Sequence, residues 1–232
     1  MSLLYLFRHG QAGTREDYDR LSKVGEEQAR RLAAHFASEK LRFGLFLTGP
    51  LRRQQQTAMY VHEAIGGPAP EVEIGWAEFD LDAVTSEIAP LLAADDAEFA
   101  RAHRGLLATI ASGDDSIHRR WTTADTEIVR AWVEGRYAIR TESWAQFCAR
   151  IAGTRERLAA YGDNARIAIS TSATPMAIYM SLALDLKPGA LLRLAGHTCN
   201  AAYSVFRLRG GEVDVMGFNA TSHLPAELRT QR

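Results

Sequence analysis

Apolar and polar positions along this chain follow two periods. Short continuous apolar runs read as buried strands, and apolar residues three and four apart read as helices. Leu3-Leu4-Tyr5-Leu6-Phe7 is such a run, and it stops abruptly at Arg8-His9-Gly10. A run without alternation suits a parallel strand covered on both faces. Ser22 stands as an N-cap before a helical pattern through Ala29, Leu32, Ala33 and Phe36. Residues 41–47 read as a second strand, with Phe43, Leu45 and Leu47 alternating, and end at Thr48-Gly49-Pro50. Pro50 is placed for the first turn of a helix from about Leu51 to Ile65, which Gly66-Gly67-Pro68 stops. Residues 71–74 form a short strand pattern. The order β-α-β-α-β predicts a parallel sheet with crossover helices.

The pattern then changes. From about residue 83 to 158 it is helical, with Ile88, Leu91 and Leu92 on one face and Phe99, Leu106, Leu107 and Ile110 on another. Gly113-Asp114-Asp115-Ser116 interrupts it, and Ile128, Trp132, Val133, Trp144, Phe147, Ile151 and Leu158 resume it. The tryptophans read as core packing. Residues 166–170 return to a strand pattern. Thr171-Ser172-Ala173-Thr174-Pro175 leads into an amphipathic helix with Met176, Ile178, Tyr179 and Leu182. Two antiparallel strands, residues 202–209 and 212–218, join through Gly210-Gly211. Together these elements predict an α/β fold: a three-layer α/β/α sandwich with a mostly parallel central sheet. The chain reads as a single domain over 1–232, with a helical insertion at about 83–158 that supplies substrate contacts.

Composition narrows the class without naming a function. With 232 residues, 47% hydrophobic and 24% charged, the chain suits one large globular domain. A net charge of −1 gives no case for nucleic-acid or anionic-membrane binding. Cys148 and Cys199 make neither a disulfide framework nor a zinc spacing, which points to a reducing, cytoplasmic compartment. The first apolar run is too short for a signal sequence and reads better as a strand.

The chemistry gathers at strand ends. Arg8-His9-Gly10, Thr48-Gly49 with Arg52-Arg53, and Thr171-Ser172 each follow a strand, and Glu78, Asp80 and Asp82 follow Trp76. Two arginines around one histidine suit a phosphoryl group, because guanidinium binds phosphate in a fork. Neighbouring cations keep imidazole neutral and nucleophilic. The small polar residues before the late helix offer an anion site at its N-terminus. No second ligand stands at metal spacing from His9.

These residues resemble the histidine phosphatase superfamily (phosphoglycerate mutase-like, branch 1). Leu4 to Gln11 looks like its signature strand and RHG motif. Leu21-Ser22 through Gly25 to Gln28-Ala29 is similar to its L-[ST]-x-x-G-x-x-Q-A helix entry. Pro50-Leu51-Arg52-Arg53 with Gln56-Thr57-Ala58 resembles S-P-L-x-R-A-x-Q-T-A, and Glu78-Phe79-Asp80 occupies its general-acid segment. The resemblance implies a phosphomonoesterase without cofactor or metal, working through a phosphohistidine on His9. Arg8 and Arg53 would clamp the phosphoryl group, with Gly10, Gln11, Thr48, Ser172 and Ala173 lining it. Glu78 would be the proton donor, with Asp80 and Asp82 as rivals; Arg52 reads as solvated helix face. The substrate would be a phosphorylated small molecule or a phosphoprotein, and an edge strand or the insertion could make a homodimer.

The departures are specific. Ser172 stands where the family's second histidine is expected, so His197 or His223 would have to compensate if a second imidazole is needed. Gly49 and Gln54 replace the usual serine and alanine, and Arg15 replaces a mutase-type asparagine six residues after His9. A catalytically weak or inactive phosphate- or phospholigand-binding pseudoenzyme is therefore the alternative, and a phosphoglycerate mutase-type phosphotransferase a more distant one. Arg119, Arg120, Arg136 and Arg140 read as solvated surface.

Overall fold

The computed structural model describes residues 1–13, 17–112, 122–161 and 164–231. Arg15, Arg119, Arg120 and the Gly113-Asp114-Asp115-Ser116 break lie outside them. The chain divides into two compact units, Met1–Glu78 with Arg150–Arg232, and Phe79–Ala149.

Its strands are β1 (Ser2–Arg8), β2 (Leu45–Thr48), β3 (Glu71–Val72), β4 (Arg166–Thr171), β5 (Tyr203–Arg209) and β6 (Glu212–Ala220). Its helices are α1 (Lys23–Ser38), α2 (Arg52–Ile65), α3 (Leu81–Asp95), α4 (Ala97–Ala111), α5 (Thr123–Val133), α6 (Trp144–Ala160), α7 (Ala173–Leu184) and α8 (Pro188–His197). The first unit holds one mixed sheet in the order β3-β2-β4-β1-β5-β6. β3, β2, β4 and β1 run parallel, and β5 and β6 are antiparallel. The late strand β4 thus fills the gap between β1 and β2, so the ends of β1 and β4 lie side by side.

Strand alternation explains the layers. Tyr5 and Phe7 face one way, Leu4 and Leu6 the other. Phe7 meets Phe36 of α1 and Phe46 of β2 edge-on, at centroid distances of 5.9 and 6.0 Å. Leu32, Ala33 and Phe36 of α1 and Ala58, Val61 and Ile65 of α2 complete that core. On the opposite face Phe206, the register partner of Leu4, meets Tyr179 of α7 at 5.4 Å. Ser22 caps α1, its side chain accepting the Gly25 N–H.

Several expectations shift. β2 is only Leu45–Thr48, because ladder pairing with β4 starts at Leu45 and all four residues are buried. β3 stops at Val72, and the chain turns through a 3-10 segment at Ile74–Trp76. α2 starts after Pro50, since Leu51 is extended and serves as the N-cap. α7 is not amphipathic: it is buried from Ala173 to Met180, against the sheet on one side and α8 on another. α8 itself carries Gly189 and Gly196, which weaken its helical pattern in sequence.

The second unit is helical. Phe79, Trp132, Trp144 and Phe147 form its aromatic cluster, with Phe79 and Trp132 centroids 4.7 Å apart. Leu91 and Leu107, which share helical faces with Ile88 and Phe99, are exposed at 40% and 50%. Helical spacing marks a stripe but not how wide the covered part is. Arg136 pairs with Glu134 and Arg140 lies beside Glu87, all within this unit.

Candidate active site

The site is built at the C-terminal ends of β1, β2 and β4. Arg8 is in register with Thr171, and Thr48 with Ser170. The next residues, His9, Gly49 and Ser172, therefore emerge at one edge of the sheet, where α2 and α7 begin. Ends of parallel strands beside a change in strand order are where open α/β sheets take ligands. Gly10 is required there for packing. A Cβ on Gly10 would come within 2.3 Å of the Gly25 carbonyl oxygen, and one on Gly25 within 2.1 Å of the Gln11 carbonyl oxygen. The strand end thus rides directly on the first turn of α1.

His9 is buried and held at both ring nitrogens. Nδ1 lies 2.7 Å from the Gly10 carbonyl oxygen. A carbonyl only accepts, so Nδ1 carries the proton and Nε2 holds the lone pair. Nε2 accepts from Arg53 Nε at 3.1 Å. Burial, then the Arg53 and Arg8 cations, hold the imidazole well below its usual range, with the Gly10 carbonyl opposing them. The ring is a neutral base whose free nitrogen faces a guanidinium.

Arg53, on the first turn of α2, also donates through Nη1 to Asp19 Oδ1 at 2.8 Å. The other Asp19 oxygen accepts the Arg52 N–H at 3.0 Å. A carboxylate is well placed at a helix N-terminus. Arg8 Nη1 donates to the Thr198 and Gln231 carbonyls. Its Nε is buried with no partner among the described residues. Burial chiefly pushes its pKa down to about 10, partly offset by Tyr18 and Glu78, so it remains a cation at neutral pH.

Glu78 Oε2 accepts the Thr174 N–H at 3.1 Å, in the first turn of α7. Ser172, one residue before that helix, is buried and makes no side-chain cap. Its Oγ accepts from Gln54 Nε2 at 2.8 Å. The structure thus brings Arg8, His9, Arg53, Glu78 and the Ser172–Ala173 turn to these neighbouring strand and helix ends.

The other expected residues take different places. The Gly10 N–H donates to Thr57 Oγ1 at 3.1 Å. Gln11 ties β1 to α1 by accepting from Ser22 Oγ and donating its N–H to Gln28 Oε1. The Thr48 hydroxyl donates to the Gly49 carbonyl. Asp80 caps α3 by accepting the Ala83 N–H, and Asp82 lies in that helix's first turn. His197 is exposed at the end of α8, and its carbonyl accepts from Asn219. His223 is stacked on His35 at 5.4 Å and directed at the Ala201 carbonyl. Neither of these two side chains is hydrogen-bonded to Ser172 or His9.

A family model for the histidine phosphatase superfamily (branch 1) matches residues 4–113 and 107–221. The chain belongs to this superfamily. A stretch of 79 residues is 42% identical to an uncharacterized protein of Picosynechococcus sp., covering 32% of this chain and 48% of that one. The chain spans about half the length of the curated relative it matches. Three solved structures share the fold over nearly the whole chain. Bacillus stearothermophilus YhfR matches with a TM-score of 0.64 at 16% identity, over 96% of this chain and 99% of that one. A mycobacterial glucosyl-3-phosphoglycerate phosphatase bound to inorganic phosphate matches with 0.62 at 18% identity, over 96% and 99%. A variant phosphoserine phosphatase from Entamoeba histolytica in complex with phosphoserine matches with 0.60 at 16% identity, over 97% and 100%.

In this histidine phosphatase family member three of the sequence departures, Gly49, Gln54 and Ser172, are coupled. A Cβ on Gly49 would lie 2.1 Å from Gln54 Oε1 and 2.7 Å from the Trp76 carbonyl oxygen, so glycine makes room for the longer Gln54. Gln54 in turn reaches Ser172. Sequence reasoning noted each replacement but missed the link, since Ser172 lies 118 residues beyond Gln54 and shares no period with it. It also missed Asp19, which looks like any carboxylate in a polar turn. Among the described residues no helix is long and apolar enough to cross a membrane.

Proposed function

We propose that this protein is a phosphomonoesterase that works through a phosphohistidine on His9 Nε2. The observation that carries the reading is the state of His9: neutral, its proton locked on Nδ1, its lone pair on Nε2 beside Arg53. A phosphomonoester brings about −1.5 to −2 charge to this point. Its oxygens take over the Arg53 hydrogen bond, which frees the Nε2 lone pair to attack phosphorus. The bond from phosphorus to the ester oxygen breaks as the Nε2–P bond forms. Glu78 gives a proton to the departing oxygen and then takes one from the water that cleaves the Nε2–P bond. Arg8, with a buried Nε lacking a partner among the described residues, supplies a second cationic donor. Positioned charge of this kind provides most of the rate in phosphoryl transfer. The phosphoserine and glucosyl-3-phosphoglycerate phosphatases among its structural neighbours support a phosphorylated small molecule as substrate.

Turnover of para-nitrophenyl phosphate by wild type, lost in His9→Ala, is the expected result. Equal turnover by the two proteins rejects the reading. Ser172 in place of a second imidazole favours one alternative, a protein that binds phosphate or a phospholigand without hydrolysing it. That protein would be stabilised thermally by phosphate and turn over nothing.

A further inference from the structure

We propose that Gln54 is a positioning residue that aims the Ser172 hydroxyl proton into the phosphoryl site, making the pair one neutral hydrogen-bond donor. The inference rests on the phosphoryl-site reading above and adds a residue to it.

The polarity of the amide is fixed by its surroundings. Gln54 is fully buried. Its Oε1 accepts the Leu51 N–H at 3.1 Å, and its Nε2 lies 3.3 Å from the Trp76 carbonyl oxygen. An N–H cannot accept and a carbonyl cannot donate, so the oxygen faces Leu51 and the NH2 faces Trp76. The second Nε2 hydrogen is then the one on Ser172 Oγ at 2.8 Å. Ser172 Oγ is an acceptor in that bond, and its own proton must go elsewhere.

Among the described residues that proton has no acceptor. The Trp76 carbonyl already takes two donors, Gln54 Nε2 and Thr171 Oγ1, the latter at 2.8 Å. Gln54 Oε1 is taken by Leu51. Ser172 makes no cap on α7, and no other partner for its hydroxyl exists among the described residues. A buried hydroxyl proton without an acceptor calls for a ligand acceptor. Strand register says which. Arg8 and Thr171 are partners, so His9 and Ser172 follow side by side, and both reach α2, through Arg53 and Gln54 respectively. The free proton lies beside the nucleophile at the N-terminus of α7, where an anion is favoured. Gly49 belongs to the same device, since a Cβ there would displace the Gln54 carboxamide.

The test is a double-mutant cycle read by orthovanadate affinity in calorimetry and by kcat on para-nitrophenyl phosphate. Ser172→Ala and Gln54→Met each remove the aimed donor, so each is expected to weaken vanadate and lower kcat by about tenfold. The double variant is expected to be no worse than Ser172→Ala alone, because both changes delete one donor. Ser172→Thr keeps the hydroxyl and is expected to retain affinity. Wild-type vanadate affinity in Ser172→Ala overturns the proposal, as do losses that multiply in the double variant. If Gln54→Met gives no cooperative melt, the comparison of Ser172→Ala with Ser172→Thr decides: equal affinity overturns it. A wild type that binds vanadate but hydrolyses nothing rejects the hydrolase reading, while the vanadate cycle still decides this one. A wild type that binds no vanadate rejects both.

Discussion

At His9 two hydrogen bonds set the chemistry. The Gly10 carbonyl holds the proton on Nδ1, and Arg53 marks the lone pair on Nε2. That Arg8, His9 and Arg53 come together was legible in sequence because the proposed chemistry restricts the residue types: a phosphoryl clamp needs guanidinium, and a nitrogen nucleophile beside cations needs imidazole. Glu78 lies at the first turn of α7 and Asp80 caps α3, which supports Glu78 as the proposed proton donor. The proton-donor role makes a specific prediction. Glu78→Gln should lower kcat on an alkyl phosphate by about 10²–10³, a typical contribution of general acid catalysis. On para-nitrophenyl phosphate, whose leaving group departs without a proton, the loss should be much smaller. Equal losses in steady-state assays of both substrates would place Glu78 outside proton transfer.

At the scale of elements, the site depends on how closely β1 rides on α1. Gly10 and Gly25 meet backbone to backbone, so Gly25→Ala pushes a methyl into the Gln11 carbonyl. The expected destabilisation is about 3 kcal/mol, as overpacking against backbone costs, measurable as a lower urea midpoint at unchanged slope. Strands β1 and β4 and helices α1 and α2 were readable because each carries a single buried period. α7 was found as a helix but misread as amphipathic, because its residues from Ala173 to Met180 are buried and leave no polar stripe there. The start of α2 was misplaced because its N-terminus is set by the Gln54 side chain bonding the Leu51 N–H, a tertiary detail that Pro50 does not reveal. The Asp19–Arg53 pair was equally hidden, since it joins a loop to a helix 34 residues later.

Over the whole molecule, one buried and one half-buried histidine link stability to pH. His9 is held well below its usual range by burial first, and His223 is lowered to about 4 by burial and then by His35. The unfolded chain therefore binds more protons than the folded one between about pH 4 and 6.5. Stability should be full above 6.5 and fall as pH drops through that window. His223→Gln should shrink the fall in Tm between pH 7 and 4 relative to wild type; an identical fall would remove His223 from the account. The mostly parallel sheet with a C-terminal hairpin followed from the β-α-β-α-β pattern plus the late strands, but the strand order, with β4 between β1 and β2, is a topological fact no local pattern encodes. That insertion is what sets Ser172 beside His9. The most direct test of the central claim is trapping of the covalent intermediate. Rapid alkaline quench during turnover of para-nitrophenyl phosphate, followed by peptide mass spectrometry, should find one phosphoryl group on His9 and none in His9→Ala. Turnover with an unmodified His9, or with the phosphoryl group on another residue, would contradict it.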